Sequence, residues 1–467
     1  MIFTKIKDIN FKFLLIISLT FVFFYFFNLN LKIFFYISTP LYLIFSIIYF
    51  FIYRNNISNF FIIINTLYIL LGHFTLDYFY IDRAYTSNAY EQTLINDFIT
   101  LHILNFLFIY FNQSSKKISF NFTKASLLHG NYYYLCYLLI LLGYFVFFLF
   151  IKNFNYLEFF TVPRMQRAKE IQDYLDQNIN LPYSYLFFVS FALCSNLFFR
   201  GDISKKKYLL FIFFLIPYCL SIFVEGDRSV ILYFLLPTIY IYYTYNTNRI
   251  IKNISLIVPL FIIFILIGLY RGPIAEYLKT DSNDYLKLRT NQIIDNPMNL
   301  IPAEFSSVTW TKVKSIEYNI DYSGSFSTFF ISFFPNDIFQ KTSASSTLSD
   351  ELKLRKHNRS LSESPGFNYY LEWYDAYKEF GVIIITIFVF VIIQTYNKIL
   401  FNLKNPLTQS IFFCLIVHLF SLMRSNIQGV MNSIILYLLV FCICIFFIYL
   451  SKIIKEVVLL VREKKRN

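Results

Sequence analysis

The chain has 467 residues, of which 57% are hydrophobic and only 15% charged. That proportion excludes an ordinary soluble domain, which could not hide so much apolar surface. A net charge of +13 invites a nucleic-acid reading, but the distribution of the charge, set out below, turns it into a topology signal instead.

Apolar runs of 17 to 23 residues recur along the whole sequence, each long enough to cross a hydrocarbon layer about 30 Å thick. In chain order they predict membrane helices at about 13–29, 32–53, 59–77, 95–112, 132–151, 183–200, 208–224, 229–245, 254–270, 379–397, 408–423 and 430–451. The first run, Phe13 to Phe27, is followed by Asn28-Leu29-Asn30 and not by a small-residue cleavage site, so it reads as a membrane helix and not a signal peptide. The expected fold is therefore an all-α polytopic membrane protein of about 12 transmembrane helices. It divides into residues 1–270 (nine helices, with an outer loop at 152–182), a large outer loop at 271–378, and residues 379–467 (three helices and a basic tail).

Twelve spans put both termini on one side. The connections and tail of that side carry 21 basic residues, among them Lys5, Lys116, Lys117, Lys205, Lys206, Lys207, Lys464 and Lys465, against four acids, Asp8, Asp202, Glu456 and Glu463. By the positive-inside rule that side is cytoplasmic, and its excess charge faces anionic lipid headgroups. The membrane bilayer is thus the expected partner of the charge, and nucleic acid is not. The six cysteines, Cys136, Cys194, Cys219, Cys414, Cys442 and Cys444, all lie within apolar runs, without disulfide or zinc-ligand spacing. No metal or cofactor is expected.

The loop at 271–378 is too long to be a passive connector. Its charges nearly balance, with 11 basic and 13 acidic residues from Arg271 to Asp375, and it is rich in serine and aromatics, which predicts a folded cap. The helix interiors look nearly free of Lys, Arg, Asp and Glu.

Three arginines mark the outer ends of helices: Arg228 in Glu225-Gly-Asp-Arg-Ser229, Arg271 in Tyr270-Arg-Gly-Pro273, and Arg424 in Met423-Arg-Ser-Asn426. Guanidinium groups stay charged and offer forked donors to phosphate oxygens, so a ring of them at headgroup level suits a lipid diphosphate. Interfacial anchoring is the competing reading. Arg164 and Arg167, three apart in the 152–182 loop, share a face if that segment is helical. Glu372 and Asp375 have the same spacing before the tenth helix, and either could act as a base toward a sugar hydroxyl. Trp373 and Tyr377 beside them fit a sugar platform or an aromatic belt. His418 lies about 9 Å deep in the eleventh helix and is a candidate by its depth, although a histidine bonded between helices is the commoner case. His73 and His102 read as ordinary interior histidines.

The chain resembles the Wzy-type O-antigen polymerases, which join oligosaccharide repeat units. The resemblance lies in the architecture, in Glu225-Gly-Asp-Arg-Ser229, similar to a glycine-arginine-serine turn of that family, and in Glu372-Trp-Tyr-Asp-Ala-Tyr-Lys-Glu-Phe-Gly381, similar to its Glu-x-Tyr…Phe-Gly entry into a late helix. Arg355 and Gly366 match an Arg-x10-Gly spacing found in some members, whereas Leu175 stands where the loop of Arg164 would need the glycine. The resemblance implies a GT-C-type fold and an undecaprenyl-diphosphate-linked oligosaccharide as substrate. It also implies glycosyl transfer at the outer face of the bacterial inner membrane, with a flippase and a chain-length regulator as partners. On this reading Arg228, Arg271, Arg424, Glu372 and Asp375 are catalytic. Arg164, Arg167, Asp227, Arg355, Trp373, Tyr377 and His418 bind substrate. An O-antigen ligase, a lipid-linked oligosaccharide flippase and a non-catalytic scaffold are the alternatives.

Overall fold

In the computed structural model the described residues are 2–27, 30–52, 57–79, 85–111, 129–151, 183–225, 228–245, 270, 277, 283–296, 299, 303–322, 368–423 and 427–464. They form thirteen helices and no strand. These are α1 (Ile2–Phe26), α2 (Leu31–Ile52), α3 (Ile57–Phe79), α4 (Ser87–Phe111), α5 (His129–Ile151), α6 (Tyr183–Phe199), α7 (Lys205–Glu225), α8 (Arg228–Tyr245), α9 (Asp284–Asp295), α10 (Ala303–Glu317), α11 (Leu371–Asn402), α12 (Pro406–Ser421) and α13 (Ile427–Lys464). Six of them contain stretches long and apolar enough to cross a membrane: Leu31–Ile48, Ile57–Leu76, Ser87–Phe111, Tyr132–Leu149, Leu371–Leu400 and Ser433–Val458. Shorter apolar helices are found at Lys12–Tyr25, Tyr183–Phe199, Tyr233–Tyr242 and Pro406–Ser421. The chain is therefore a multi-pass helical membrane protein.

The burial pattern supports this reading, because large apolar side chains face outward. Leu19 is 61% exposed, Phe213 67% and Tyr449 66%, while Ser38, Thr39, Asn59, Asn65 and Thr66 are buried. A surface that meets lipid tails is apolar, and polar groups collect where other helices can satisfy them. Many hydroxyls are satisfied by their own helix: Thr66 Oγ1 donates to Ile62 O at 2.7 Å, Thr75 to Leu71 O at 2.7 Å, and Thr93 to Ala89 O at 2.8 Å. This four-back bond lets threonine sit in an apolar layer without an orphan donor.

The chain divides into two units. The first holds α1–α4, α10, α11 and residues 419–432. The second holds α5–α8, residues 403–418 of the α12 region, and α13 from Ser433 onward. In the second unit Asn196 is the polar hub. Its Nδ2 donates to Pro406 O and Ser410 Oγ, each at 3.1 Å, and its Oδ1 accepts from Tyr245 OH at 2.7 Å. Ser190 Oγ donates to Cys136 O at 2.7 Å and ties α6 to α5. The six cysteines are free thiols, four of them buried.

Several helices are longer than their apolar runs predict. α4 starts at Ser87, not 95, because Ser-Asn-Ala-Tyr-Glu-Gln-Thr-Leu continues the helix through polar positions. α11 starts at Leu371 and breaks at Lys378 (φ 52°, ψ −140°). The break brings the chain against itself, since a Cβ on Gly381 would lie 1.9 Å from Trp373 O, so only glycine fits there. α13 runs for 38 residues, about 57 Å at 1.5 Å per residue. It therefore carries Lys452 and Lys455, which the sequence places in a basic tail, within a continuous helix. The expected ninth helix (254–270) lies almost wholly outside the described residues.

The largest departure concerns the loop at 271–378. Its stretch α10 is not a surface element. Ser306, Val308, Thr309, Trp310, Thr311, Lys312, Val313 and Lys314 are each at most 2% exposed, and the helix packs on α3 and α4. The approach to α3 is close: a Cβ on Gly72 would lie 2.3 Å from Thr309 Oγ1 and 2.9 Å from Phe305 O.

Candidate functional site

The residues with most chemical potential gather in the first unit around Asp97. It lies ten positions into α4, about 15 Å along the axis from the first residue, and it is fully buried. Side chains from three other elements converge on it. Lys312 of α10 places Nζ 2.7 Å from Oδ1, Tyr370 donates its hydroxyl to the same oxygen at 2.9 Å, and His73 of α3 puts Nε2 2.8 Å from Oδ2. The Lys312 ammonium also lies over the Tyr370 ring, 4.9 Å from its centroid. His73 and Lys312 are 1% and 2% exposed. A charge at that depth is costly unless paired and hydrogen-bonded, and this carboxylate is both. The expectation that the helix interiors are nearly free of charge does not hold here, and His73 has a partner beyond an ordinary interior role. The sequence does contain Asp97 inside an apolar run, which is a usable signal, but its partners are remote in sequence.

Immediately after Tyr370 comes the acidic pair. Glu372 is 7% exposed and makes no hydrogen bond or ion pair among the described residues. Asp375, half-buried, accepts the Tyr322 backbone N–H at 2.8 Å. Both carboxylates act on the Tyr322 phenol. That phenol is raised above its ordinary range by burial and then by the two negative charges, with its bond to Ser315 (2.9 Å) partly offsetting the shift. The two acids thus approach a common neighbour, in keeping with their three-residue spacing. Asn368 anchors the entry to α11 by donating from Nδ2 to Met423 O at 3.2 Å and accepting the Tyr370 N–H at 3.2 Å. Trp373 is half-buried and Tyr377 is 53% exposed, with ring centroids 6.3 Å apart.

In the second unit His418, 2% exposed, is enclosed by rings: Tyr233 at 4.9 Å, Tyr437 at 5.3 Å and Tyr185 at 6.1 Å between centroids. Arg228 is the first residue of α8. Arg164, Arg167, Asp227, Arg271, Arg355 and Arg424 lie outside the described residues. Among the described residues no group of three His, Cys, Asp or Glu side chains is disposed to hold a metal ion. Comparison with protein-family models, with curated proteins and with solved structures found no match.

Proposed function

We propose that the chain is a metal-independent membrane glycosyltransferase that polymerises undecaprenyl-diphosphate-linked oligosaccharide repeat units into a surface polysaccharide. In this reading it crosses the bacterial inner membrane about twelve times, in a GT-C-like arrangement with both termini cytoplasmic and the 271–378 connection outside. The observation that carries the reading is Glu372, a buried carboxylate without an ion-pair partner among the described residues, set at the entry to a membrane helix beside Asp375. A carboxyl group in such a place has an environment suited to proton transfer.

The chemistry asks little of the protein. An acceptor-sugar hydroxyl attacks the anomeric carbon of the donor glycan, the glycosidic C–O bond forms, and the C–O bond to diphosphate breaks. Glu372 or Asp375 takes the hydroxyl proton. The lipid diphosphate leaves as an anion, which Arg228, Arg271 and Arg424 stabilise at the membrane interface. Trp373, Tyr377 and the long connection supply sugar contacts. The test is to express Glu372→Gln and Arg228→Ala in a host lacking its own polymerase and to resolve the surface glycan by gel. Single repeat units in place of a ladder support the assignment, and a normal ladder from both variants removes it.

A second reading is favoured by a different observation. The buried Asp97–Lys312 pair is a feature of transport pathways in membranes, so a lipid-linked oligosaccharide flippase is the alternative. Loss of a flippase leaves repeat units on the cytoplasmic leaflet, whereas loss of a polymerase leaves them displayed singly outside.

A further inference from the structure

α10 combines two properties that rarely coexist. Its sequence, Ala-Glu-Phe-Ser-Ser-Val-Thr-Trp-Thr-Lys-Val-Lys-Ser-Ile-Glu, is polar at nearly every second position, yet residues 308–315, just over two turns, are buried on every face. A helix enclosed within a bundle is ordinarily apolar all round. The polar groups of α10 would be at ease in water, and one ion pair, Lys312 to Asp97, carries its charge contact with α4.

That ion pair is shared with a titratable group. When Asp97 stays ionised, His73 donates from Nε2, and Nδ1 keeps its lone pair. Nδ1 is buried and has no hydrogen-bond partner among the described residues. The groups around His73 can be counted element by element. α4 presents Asp97 and the Tyr90 ring, and α10 presents Lys312. α2 presents Lys32, which adds positive potential, and the Tyr36 hydroxyl, which donates to the His73 carbonyl at 3.1 Å. The Tyr370 hydroxyl, leading into α11, reaches the cluster through Asp97. With His73 neutral, one carboxylate balances Lys312. A proton on Nδ1 places a second buried cation beside the same carboxylate, which cannot neutralise both.

We propose that His73 and Asp97 form a proton-binding site whose occupation displaces Lys312 and releases α10 from the first unit. Of the two competing cations only Lys312 sits on an element that water can solvate, so Lys312 leaves and the His73–Asp97 pair remains. The released state holds the proton more tightly than the docked state, and release therefore grows as pH falls. The inference is independent of the reaction the protein performs.

The chain's two tryptophans supply the test. Trp310 lies in α10 and is 1% exposed, and Trp373→Phe leaves it as the sole tryptophan, excited selectively at the red edge of the band. With the full chain in lipid nanodiscs, acrylamide quenching of Trp310 is compared at about pH 8 and about pH 5, on either side of the histidine range. The expected result is weak quenching at the higher pH and a severalfold rise, with a red shift, at the lower. His73→Gln abolishes the rise, and Asp97→Asn leaves Trp310 quenchable at both values. Equal shielding at both pH values overturns the proposal, as does a rise that persists in His73→Gln. Should His73→Gln not assemble, labelling of Thr309→Cys with a dipyridyl disulfide, which reacts with thiols in acid, decides the point: labelling in excess of the unsubstituted chain with its six free cysteines, taken relative to the dodecyl sulfate-unfolded chain at each pH, that fails to increase at the lower pH overturns it.

Discussion

Removing both partners of the Asp97–Lys312 pair should cost clearly less than the sum of removing each alone. Lys312→Met deletes an ammonium 2.7 Å from Oδ1 and leaves Asp97, fully buried, with Tyr370 and His73 alone. Breaking a buried pair in this way costs about 3–5 kcal/mol, because the surviving charge is left without compensation. Asp97→Asn strands Lys312 instead, at a similar cost. In the double variant Asp97→Asn/Lys312→Met neither charge is present, the introduced amide can still accept from Tyr370, and the methionine fills most of the lysine volume. Residues in direct contact couple by up to about 3 kcal/mol, so the double variant should recover about 2–3 kcal/mol relative to the sum of the single costs. That is more than a tenfold change in an equilibrium constant. The assay is unfolding in mixed detergent micelles of rising dodecyl sulfate content, followed by Trp310 emission in a Trp373→Phe background. Strictly additive losses would refute the reasoning, since they would mean that the two side chains do not share their stabilisation.

Three other outcomes follow from the packing. Gly72→Ala should destabilise the docking of α10 by about 1–3 kcal/mol, because the new Cβ meets Thr309 Oγ1 at 2.3 Å and Phe305 O at 2.9 Å. Adding Thr309→Ala should restore only part of that loss, since the backbone oxygen cannot withdraw, and the same unfolding assay reads both. Gly381→Ala should lower the yield of folded protein, judged by size-exclusion profile, because its Cβ would lie 1.9 Å from Trp373 O, a backbone atom. Asp375→Ala removes the acceptor of the Tyr322 N–H and should cost about 1–3 kcal/mol by stranding a buried donor. Asp375→Asn retains an acceptor and should cost less.

The membrane helices were legible because lipid demands long apolar runs, and α2, α3, α5 and α12 begin and end within a few residues of those runs. Their extensions were not, because a helix can leave the apolar layer without leaving helical geometry. Ser87–Leu94, Leu371–Lys378 and residues 452–464 of α13 are polar or mixed and read locally as loop or tail. α10 was harder still. Its composition signals exposure, and what buries it is an ion pair to a residue 215 positions away. The candidate site divides in the same manner. Glu372 and Asp375 could be found from spacing alone, because both lie on one short helical segment. His73, Asp97, Lys312 and Tyr370 acquire their chemistry only from each other, across four elements, and no local pattern encodes that meeting.

Polymerase activity is measured by supplying the purified full chain, reconstituted in liposomes, with undecaprenyl-diphosphate-linked repeat units and resolving the products by size. The unaltered chain should form a ladder of glycans longer than one repeat unit, and Glu372→Gln should lose it. Repeat units that remain single on their lipid, whether or not they change leaflet, would contradict the polymerase reading.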